Sequence, residues 1–245
     1  NASTNNNGNA LLIFNNLTIT NDNGNGLVAN NTGTINVNTL AAAGNSISVA
    51  DGAALDITDT TIDITLDAIT ANGGTSAVLL DTVDGSLTIT GIGAASGGGG
   101  GTSTPSTISN MSGTGIVITD STASVSLNLV TIANDVDVAT GLLLDDSGSS
   151  GTSDPSLTLT NSTLTGTAAD WTGISVNLTN DGTVSISDTL FIGTTGGNQA
   201  GIEFVVDGGG TTTPTAGLAL DDNTITLGGV TPLAISLSAS NGGLI

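Results

Sequence analysis

The sequence predicts an all-β protein, a single-stranded right-handed parallel β-helix (β-solenoid) of about eight to nine rungs with three short strands each. Three observations predict it. A phrase made of a small residue followed by aliphatics recurs at Gly26-Leu27-Val28, Ala77-Val78-Leu79-Leu80, Gly115-Ile116-Val117-Ile118, Gly141-Leu142-Leu143-Leu144, Gly173-Ile174-Ser175-Val176 and Gly201-Ile202-Glu203-Phe204. A second phrase alternates apolar and polar residues strictly, which is the period of a half-buried strand. No stretch carries the helical spacing of apolar residues.

The first phrase reads as the first strand of each rung, and its later copies start roughly every 26 to 32 residues. The interval from Gly26 to Ala77 fits two rungs, with an intermediate start at Ser46-Ile47-Ser48-Val49. The alternating phrase reads as the second strand. Its copies are Leu17-Thr18-Ile19-Thr20, Ile35-Asn36-Val37-Asn38, Leu55-Asp56-Ile57-Thr58, Leu87-Thr88-Ile89-Thr90, Val125-Ser126-Leu127-Asn128, Leu157-Thr158-Leu159-Thr160, Val184-Ser185-Ile186-Ser187 and Leu218-Ala219-Leu220-Asp221. The residue that follows is often Asn or Asp, as at Asn21, Asp59, Asn161, Asp188 and Asp222. These residue types tolerate left-handed backbone and bond their own main chain, so they are expected at tight corners. A third strand follows at Thr60-Thr61-Ile62-Asp63-Ile64, Thr131-Ile132, Thr163-Leu164-Thr165 and Thr224-Ile225-Thr226-Leu227. Inward Leu, Ile and Val then stack into aliphatic columns, and outward Thr, Ser and Asn stack into polar ladders.

The whole of 1–245 reads as one domain. Residues 1–9 form a flexible or linking start, and 94–112, with the glycine run Gly97 to Gly101, reads as a Gly/Ser/Thr-rich loop insertion. Smaller insertions fall at Ser147 to Pro155 and Gly208 to Pro214. Neither end carries an amphipathic capping helix, and Gly242-Gly243-Leu244-Ile245 reads as the opening of another rung, so either the sequence is a piece of a longer chain or copies stack end to end.

Composition narrows the function. The chain has 245 residues, 21 of them acidic, and no Lys, Arg, His, Cys or Tyr, for a formal net charge of −21. Apolar residues at 37% and a mean hydropathy of +0.30 are too high for a disordered acidic tail, so the chain is expected to fold. With one Trp and three Phe, its core must be built from small aliphatics in thin layers, as in a solenoid. Trp171 is expected to pack under a loop, and Phe191 and Phe204 to lie in the core.

A chain without cations has no means to neutralise phosphates, which argues against nucleic acid and anionic lipid as partners. No apolar run is long enough to span a bilayer as a helix, and the polar start Asn1-Ala2-Ser3-Thr4 is not a signal peptide. A Ser-His-Asp triad, a Cys nucleophile, a Lys Schiff base and a His or Cys zinc site are all excluded within this chain. The same composition leaves no tryptic cleavage site.

From about Ala10 onward the sequence resembles the right-handed β-helix passenger and adhesin domains of bacterial surface proteins, such as autotransporter passengers. Gly115-Ile116-Val117-Ile118 with Val125-Ser126-Leu127-Asn128, and the run Leu157-Thr158-Leu159-Thr160-Asn161-Ser162-Thr163-Leu164, carry that resemblance. It implies an extracellular or cell-surface structural protein with no enzymatic activity, a rod of an adhesin or fibre. Its partners would be further copies of itself, glycans, or a host or neighbouring cell surface.

The fold also resembles that of polysaccharide lyases and polygalacturonase-like hydrolases, which sets an alternative of polysaccharide binding or cleavage by Asp pairs. The candidates are Asp145-Asp146 and Asp221-Asp222, which equally suit strand-closing turns. No cofactor is required. Calcium is the one that the composition permits, since it takes oxygen ligands. The acids recurring at the exit of the first strand are the candidate ligands: Asp81, Asp84, Asp120, Asp145, Asp146 and Asp207, with Asp181 and Glu203 in the same series.

Overall fold

Strict alternation decides which side of each strand meets the core, and the computed structural model follows it through nearly every strand. It describes residues 10–38, 44–91, 104–134, 140–147, 154–194, 197–208 and 214–245. The strands are β1 (Leu11–Asn15), β2 (Thr18–Asn21), β3 (Leu27–Asn38), β4 (Ser46–Ala50), β5 (Leu55–Leu66), β6 (Ala68–Asn72), β7 (Val78–Asp81) and β8 (Asp84–Ile89). Then come β9 (Ser106–Ser109), β10 (Ile116–Thr119), β11 (Ser124–Asn128), β12 (Val130–Asn134), β13 (Thr140–Asp145), β14 (Ser156–Thr160) and β15 (Thr163–Gly166). The last are β16 (Thr172–Leu178), β17 (Gly182–Ser187), β18 (Leu190–Gly193), β19 (Ala200–Asp207), β20 (Ala216–Asp221), β21 (Thr224–Leu227) and β22 (Leu233–Ser240).

The protein is all-β, 66% strand with no helix among the described residues, and its parallel sheets curl into a half-barrel that fits a β-solenoid. From β8 to β19 each strand pairs in parallel with the strands three before and three after it, and β20, β21 and β22 pair with the strand three before. The eight-stranded sheet runs β2-β4-β6-β9-β12-β15-β18-β21. The other sheet has 14 strands and contains two ladders. They are joined because β3 and β5 are 12 residues long and serve both. Leu55–Thr58 of β5 pairs with β7 on the first ladder, and Thr61–Leu66 pairs with β8 on the second.

Register turns the alternation into columns. On the first ladder Leu55, Val78, Ile116, Leu142, Ile174 and Ile202 stand in line. On the second, Ile64, Leu87, Val125, Leu157 and Val184 do the same. In the eight-stranded sheet the line is Ile108, Ile132, Leu164, Phe191 and Ile225. All of these except Ile225 are buried, as are Trp171 and Phe204, so that Phe191 and Phe204 lie in the core as the sequence predicts. Trp171 fills the space that Gly166 leaves open: a Cβ on Gly166 would lie 2.1 Å from its ring.

The corners are built from a two-residue device. Asp59, Asp120, Asn161 and Asp188 have φ between 47° and 49°, and each is followed by a buried hydroxyl, Thr60, Ser121, Ser162 or Thr189. That hydroxyl donates to the carbonyl two residues back, at 2.7 Å for Ser162 to Thr160 and 2.8 Å for Ser121 to Thr119. In three copies the same oxygen accepts a backbone N–H from the neighbouring strand connection: Thr32 to Thr60, Val83 to Ser121 and Val130 to Ser162. Asn223, after the left-handed Asp222, makes both of its bonds to the neighbouring strand and its connection, accepting from Thr189 N and donating to Ile186 O. The stacked glycines Gly115, Gly141, Gly173 and Gly201 close another corner. A Cβ on Gly173 would lie 2.6 Å from the carbonyl oxygen of Gly201 and 2.6 Å from the ring of Phe191.

Several expectations are corrected. Ser46–Ala50 is not a first-strand start but lies in the eight-stranded sheet between β2 and β6, and Leu17-Thr18-Ile19-Thr20 falls in the same sheet as β2. Leu55-Asp56-Ile57-Thr58 belongs to the first ladder, and Thr60–Ile64 to the second. The physical reason is that β5 runs as one strand through its corner, where only a change of phase, with Thr58 and Asp59 both outward before Thr60 turns inward, marks the change of ladder. Asn21 ends β2 and the left-handed residue is Asn16. The 94–112 insertion is shorter than expected at its C-terminal end: Ser106–Ser109 is strand β9, held between β6 and β12, with Ile108 and Met111 buried. Residues 1–9 and 94–103 lie outside the described residues, as do most of the two smaller insertions.

Candidate functional site

A chain with 21 carboxylates and no cation must hold its charge by other means, and the ladders show how. Carboxylates sit at outward positions next to neutral donors on adjacent strands. Asn25 and Asn36 donate to Asp56 and Asp63 at 3.1 Å, and Ser86 donates to Asp63 at 3.2 Å. Asn241 donates to Asp207 at 2.7 Å.

The six calcium candidates follow the same rule. Asp81 and Asp145 occupy one outward column, Thr58-Asp81-Thr119-Asp145-Asn177. Thr119 donates to Asp81 at 3.0 Å, and Asn177 to Asp145 at 3.2 Å. One strand stands between the two carboxylates, which puts their backbones about 9.6 Å apart. Asp84 opens β8 and accepts from the Thr122 hydroxyl. Asp120 is a left-handed corner residue whose N–H donates to the Asp145 carbonyl at 2.9 Å. Asp207 ends β19, far along the ladder. The structure therefore does not bring the six together, and among the described residues no group of three or more carboxylates is placed to hold a metal.

Two cavities place carboxylates from neighbouring strand connections side by side. Asp59 and Asp84 line one of about 320 Å³ with Gly33, Thr60, Thr61 and Thr82. Asp154 and Asp181 line another of about 480 Å³ with Pro155, Gly182, Thr183, Thr215 and Gly217. The sequence reading missed both pairings, because Asp59 reads as a corner residue and Asp154 falls in an insertion. Two carboxylates are few for calcium, which takes six to eight oxygens. Asp181 already accepts from Thr215 N at 2.6 Å.

The Asp doublets are turned to different work. Asp145 faces outward and Asp146 is fully buried, so the pair point to opposite sides of their strand end. Asp221 ends β20 and Asp222 is a left-handed corner, on a different ladder from Asp145. Neither the two doublets nor the members of the first one face a common space, which an acid and a base flanking one glycosidic bond require.

Asp146 is the one carboxylate with a distinct environment. Its Oδ1 accepts from Thr179 N at 2.5 Å and from Thr179 Oγ1 at 3.3 Å, and its Oδ2 accepts from Asn180 N at 3.2 Å and Asn180 Nδ2 at 3.3 Å. Burial raises its carboxyl above the ordinary value of 3.8, and these four hydrogen bonds pull it back only in part. They clamp the end of β13 to the connection after β16, a structural task. Among the described residues no helix is long and apolar enough to cross a membrane. Against known proteins, no family model, no curated protein and no solved structure matches the chain.

Proposed function

We propose that the chain is a right-handed parallel β-helix of about eight to nine turns with three short strands to a turn, acting as a non-enzymatic extracellular structural protein. In this reading it is the stiff rod of a surface adhesin or self-assembling fibre, of the kind that the bacterial passenger domains it resembles provide. One observation carries the proposal: the pairing of every strand from β8 to β19 with the strands three before and three after. Such pairing makes hydrogen-bond ladders and aliphatic columns run the length of the molecule, so that load along the axis is shared by many parallel bonds.

Stacking of copies end to end is part of the proposal. At β22 the core-side residues Leu233, Ile235 and Leu237 are 57%, 42% and 56% exposed, an apolar layer and strand edge that a second copy or a further turn of a longer chain would cover equally. A chain without Lys or Arg also offers trypsin nothing to cut, which suits a protein working outside a cell.

Electron microscopy at rising protein concentration tests the reading, with and without calcium. Continuous fibres whose diffraction shows a meridional spacing near 4.8 Å are expected. Particles that stay single at every concentration would remove self-assembly. Turnover of a polysaccharide that is lost in Asp145→Asn or Asp221→Asn would overturn the non-enzymatic assignment.

A further inference from the structure

The first ladder breaks the alternation on three successive strands. Its triplets Val78-Leu79-Leu80, Ile116-Val117-Ile118 and Leu142-Leu143-Leu144 are aliphatic throughout. The outer two residues of each triplet are buried, and the middle ones, Leu79, Val117 and Leu143, face outward and are half-buried. Register sets these three side by side on adjacent strands. At the matching outward positions of the second ladder stand Thr88, Ser126, Thr158 and Ser185, and in the eight-stranded sheet Thr107, Thr131 and Thr163 are followed by a single aliphatic, Leu190. Parallel strands that are apolar on both sides are those covered on both sides.

Charge says what kind of partner fits the stripe. Asp56 precedes Leu79 in the same column, and Glu203 follows Leu143 after Ser175. Asp81 and Asp145 stand two residues along the same strands, about 6.6 Å away. A second copy brings another 21 carboxylates and no cation to meet them. A purely apolar partner would strip water from the carboxylates without replacing it. The spacing points to a helix, because its apolar side recurs once per turn of about 5.4 Å, close to the strand spacing of about 4.8 Å.

We propose that the stripe of Leu79, Val117 and Leu143 is a docking surface for a cationic amphipathic helix from a different protein. The helix lies along the rod axis, with its apolar side on the stripe and its lysines or arginines over Asp56, Asp81, Asp145 and Glu203.

The test uses the whole chain and a fluorescently labelled synthetic peptide of leucine and lysine, with leucines on one helical face. A scrambled peptide of the same composition serves as control. Anisotropy is expected to report binding that weakens with salt, and to rank the amphipathic peptide about tenfold or more above the scramble. Replacing the stripe by Leu79→Thr, Val117→Thr and Leu143→Thr together should lose a similar factor. Equal binding by the scramble, or by the threonine variant, would overturn the proposal, as would no binding. Should the triple variant not fold, the chain's lack of cysteine supplies a second route. An environment-sensitive dye on Val117→Cys should shift to the blue when the peptide is added, and one on Ser126→Cys should not. The same response at both positions, or none at Val117→Cys, would refute it.

Discussion

Replacing Ser162 by alanine tests the corner device directly. Ser162 is 3% exposed, and its hydroxyl donates to Thr160 O at 2.7 Å while accepting Val130 N at 3.1 Å. The two losses are unequal. Thr160 O keeps a second donor, Leu129 N at 3.1 Å, so it stays satisfied. Val130 is 1% exposed, and its N–H is left in the core without this acceptor. An orphaned buried donor costs about 1–3 kcal/mol, and the cavity of one oxygen adds little. Ser162→Ala should therefore lower stability by about 2 kcal/mol, or roughly 4–8 °C in Tm for a chain of this size. Ser162→Thr should be close to neutral, since Thr60 and Thr189 fill the equivalent place. Emission from Trp171, the single tryptophan and fully buried, follows unfolding in urea. The outward Ser126→Ala is the reference. A Ser162→Ala loss within about 0.5 kcal/mol of that reference would refute the claim that the buried hydroxyl ties neighbouring turns together.

Asp146 makes stability depend on pH in a stated direction. Its native carboxyl titrates above the ordinary 3.8, so the native state binds more protons than the unfolded state between those values, and stability is gained as pH falls through that window and lost as it rises. Asp146→Asn should flatten the slope of Tm against pH there, read by Trp171 emission; an unchanged slope would assign the dependence to other groups. Gly173→Ala should cost about 1–3 kcal/mol, because its Cβ would meet the Gly201 carbonyl and Phe191, whereas Gly217→Ala, with its nearest neighbour at 3.9 Å, should be tolerated. Thermal melts of the two variants decide it, and equal losses would count against a close-packed glycine corner. Leu129 holds φ 55°, a conformation that costs a residue of its kind about 1–2 kcal/mol. Leu129→Asn, the residue type used at Asn161, should raise the urea midpoint; a lower midpoint would show that the half-buried leucine contributes more by packing than it loses by strain.

What was legible in the sequence is what short-range physics controls. The alternating phrases mark strands because side chains point to opposite sides of a pleated strand, and Asp59, Asn161, Asp188 and Asp222 mark corners because their backbone is left-handed. The assignment of strands to ladders was legible only where a glycine or a break announced the corner. In β3 and β5 the chain turns inside a continuous strand, where only two successive outward residues, Asn30-Asn31 and Thr58-Asp59, mark the corner, and the alternating phrases on its two sides read alike. The buried hydroxyl after each corner residue was equally present in the sequence, as Asp59-Thr60, Asp120-Ser121, Asn161-Ser162 and Asp188-Thr189, but a polar residue inside a corner looks like a solvent-facing one until register is known. Strand β9 was hidden by its setting: it follows a glycine run, and only pairing with β6 and β12 gives Ser106–Ser109 its place. The candidate calcium ligands failed to gather for a related reason. Their recurrence at strand exits is a sequence fact, yet register puts Thr119 between Asp81 and Asp145 and sends Asp84 and Asp207 to other neighbours.

That interposed threonine leads to the sharpest electrostatic test. Like charges at the strand spacing of about 4.8 Å repel by about 0.9 kcal/mol per pair even at the dielectric constant of water, and at twice that distance by about half as much, within reach of salt screening. Separating Asp81 from Asp145 by a neutral donor thus relieves repulsion twice, by distance and by the hydrogen bond from Thr119 to Asp81. Thr119→Asp would undo both and set three carboxylates in one unbroken column. The two new pairs alone should cost about 2 kcal/mol at low ionic strength, and most of that should return as salt is raised. The same three carboxylates would supply the oxygen cluster that the native register disperses, so millimolar calcium should stabilise the variant more than the parent chain. Thermal melts across a salt series, with calcium or chelator, give the answer. A variant as stable as the parent at low salt would mean that exposed carboxylates on neighbouring strands escape one another by side-chain motion. Register would then have no part in making a cation-free chain of net charge −21 stable.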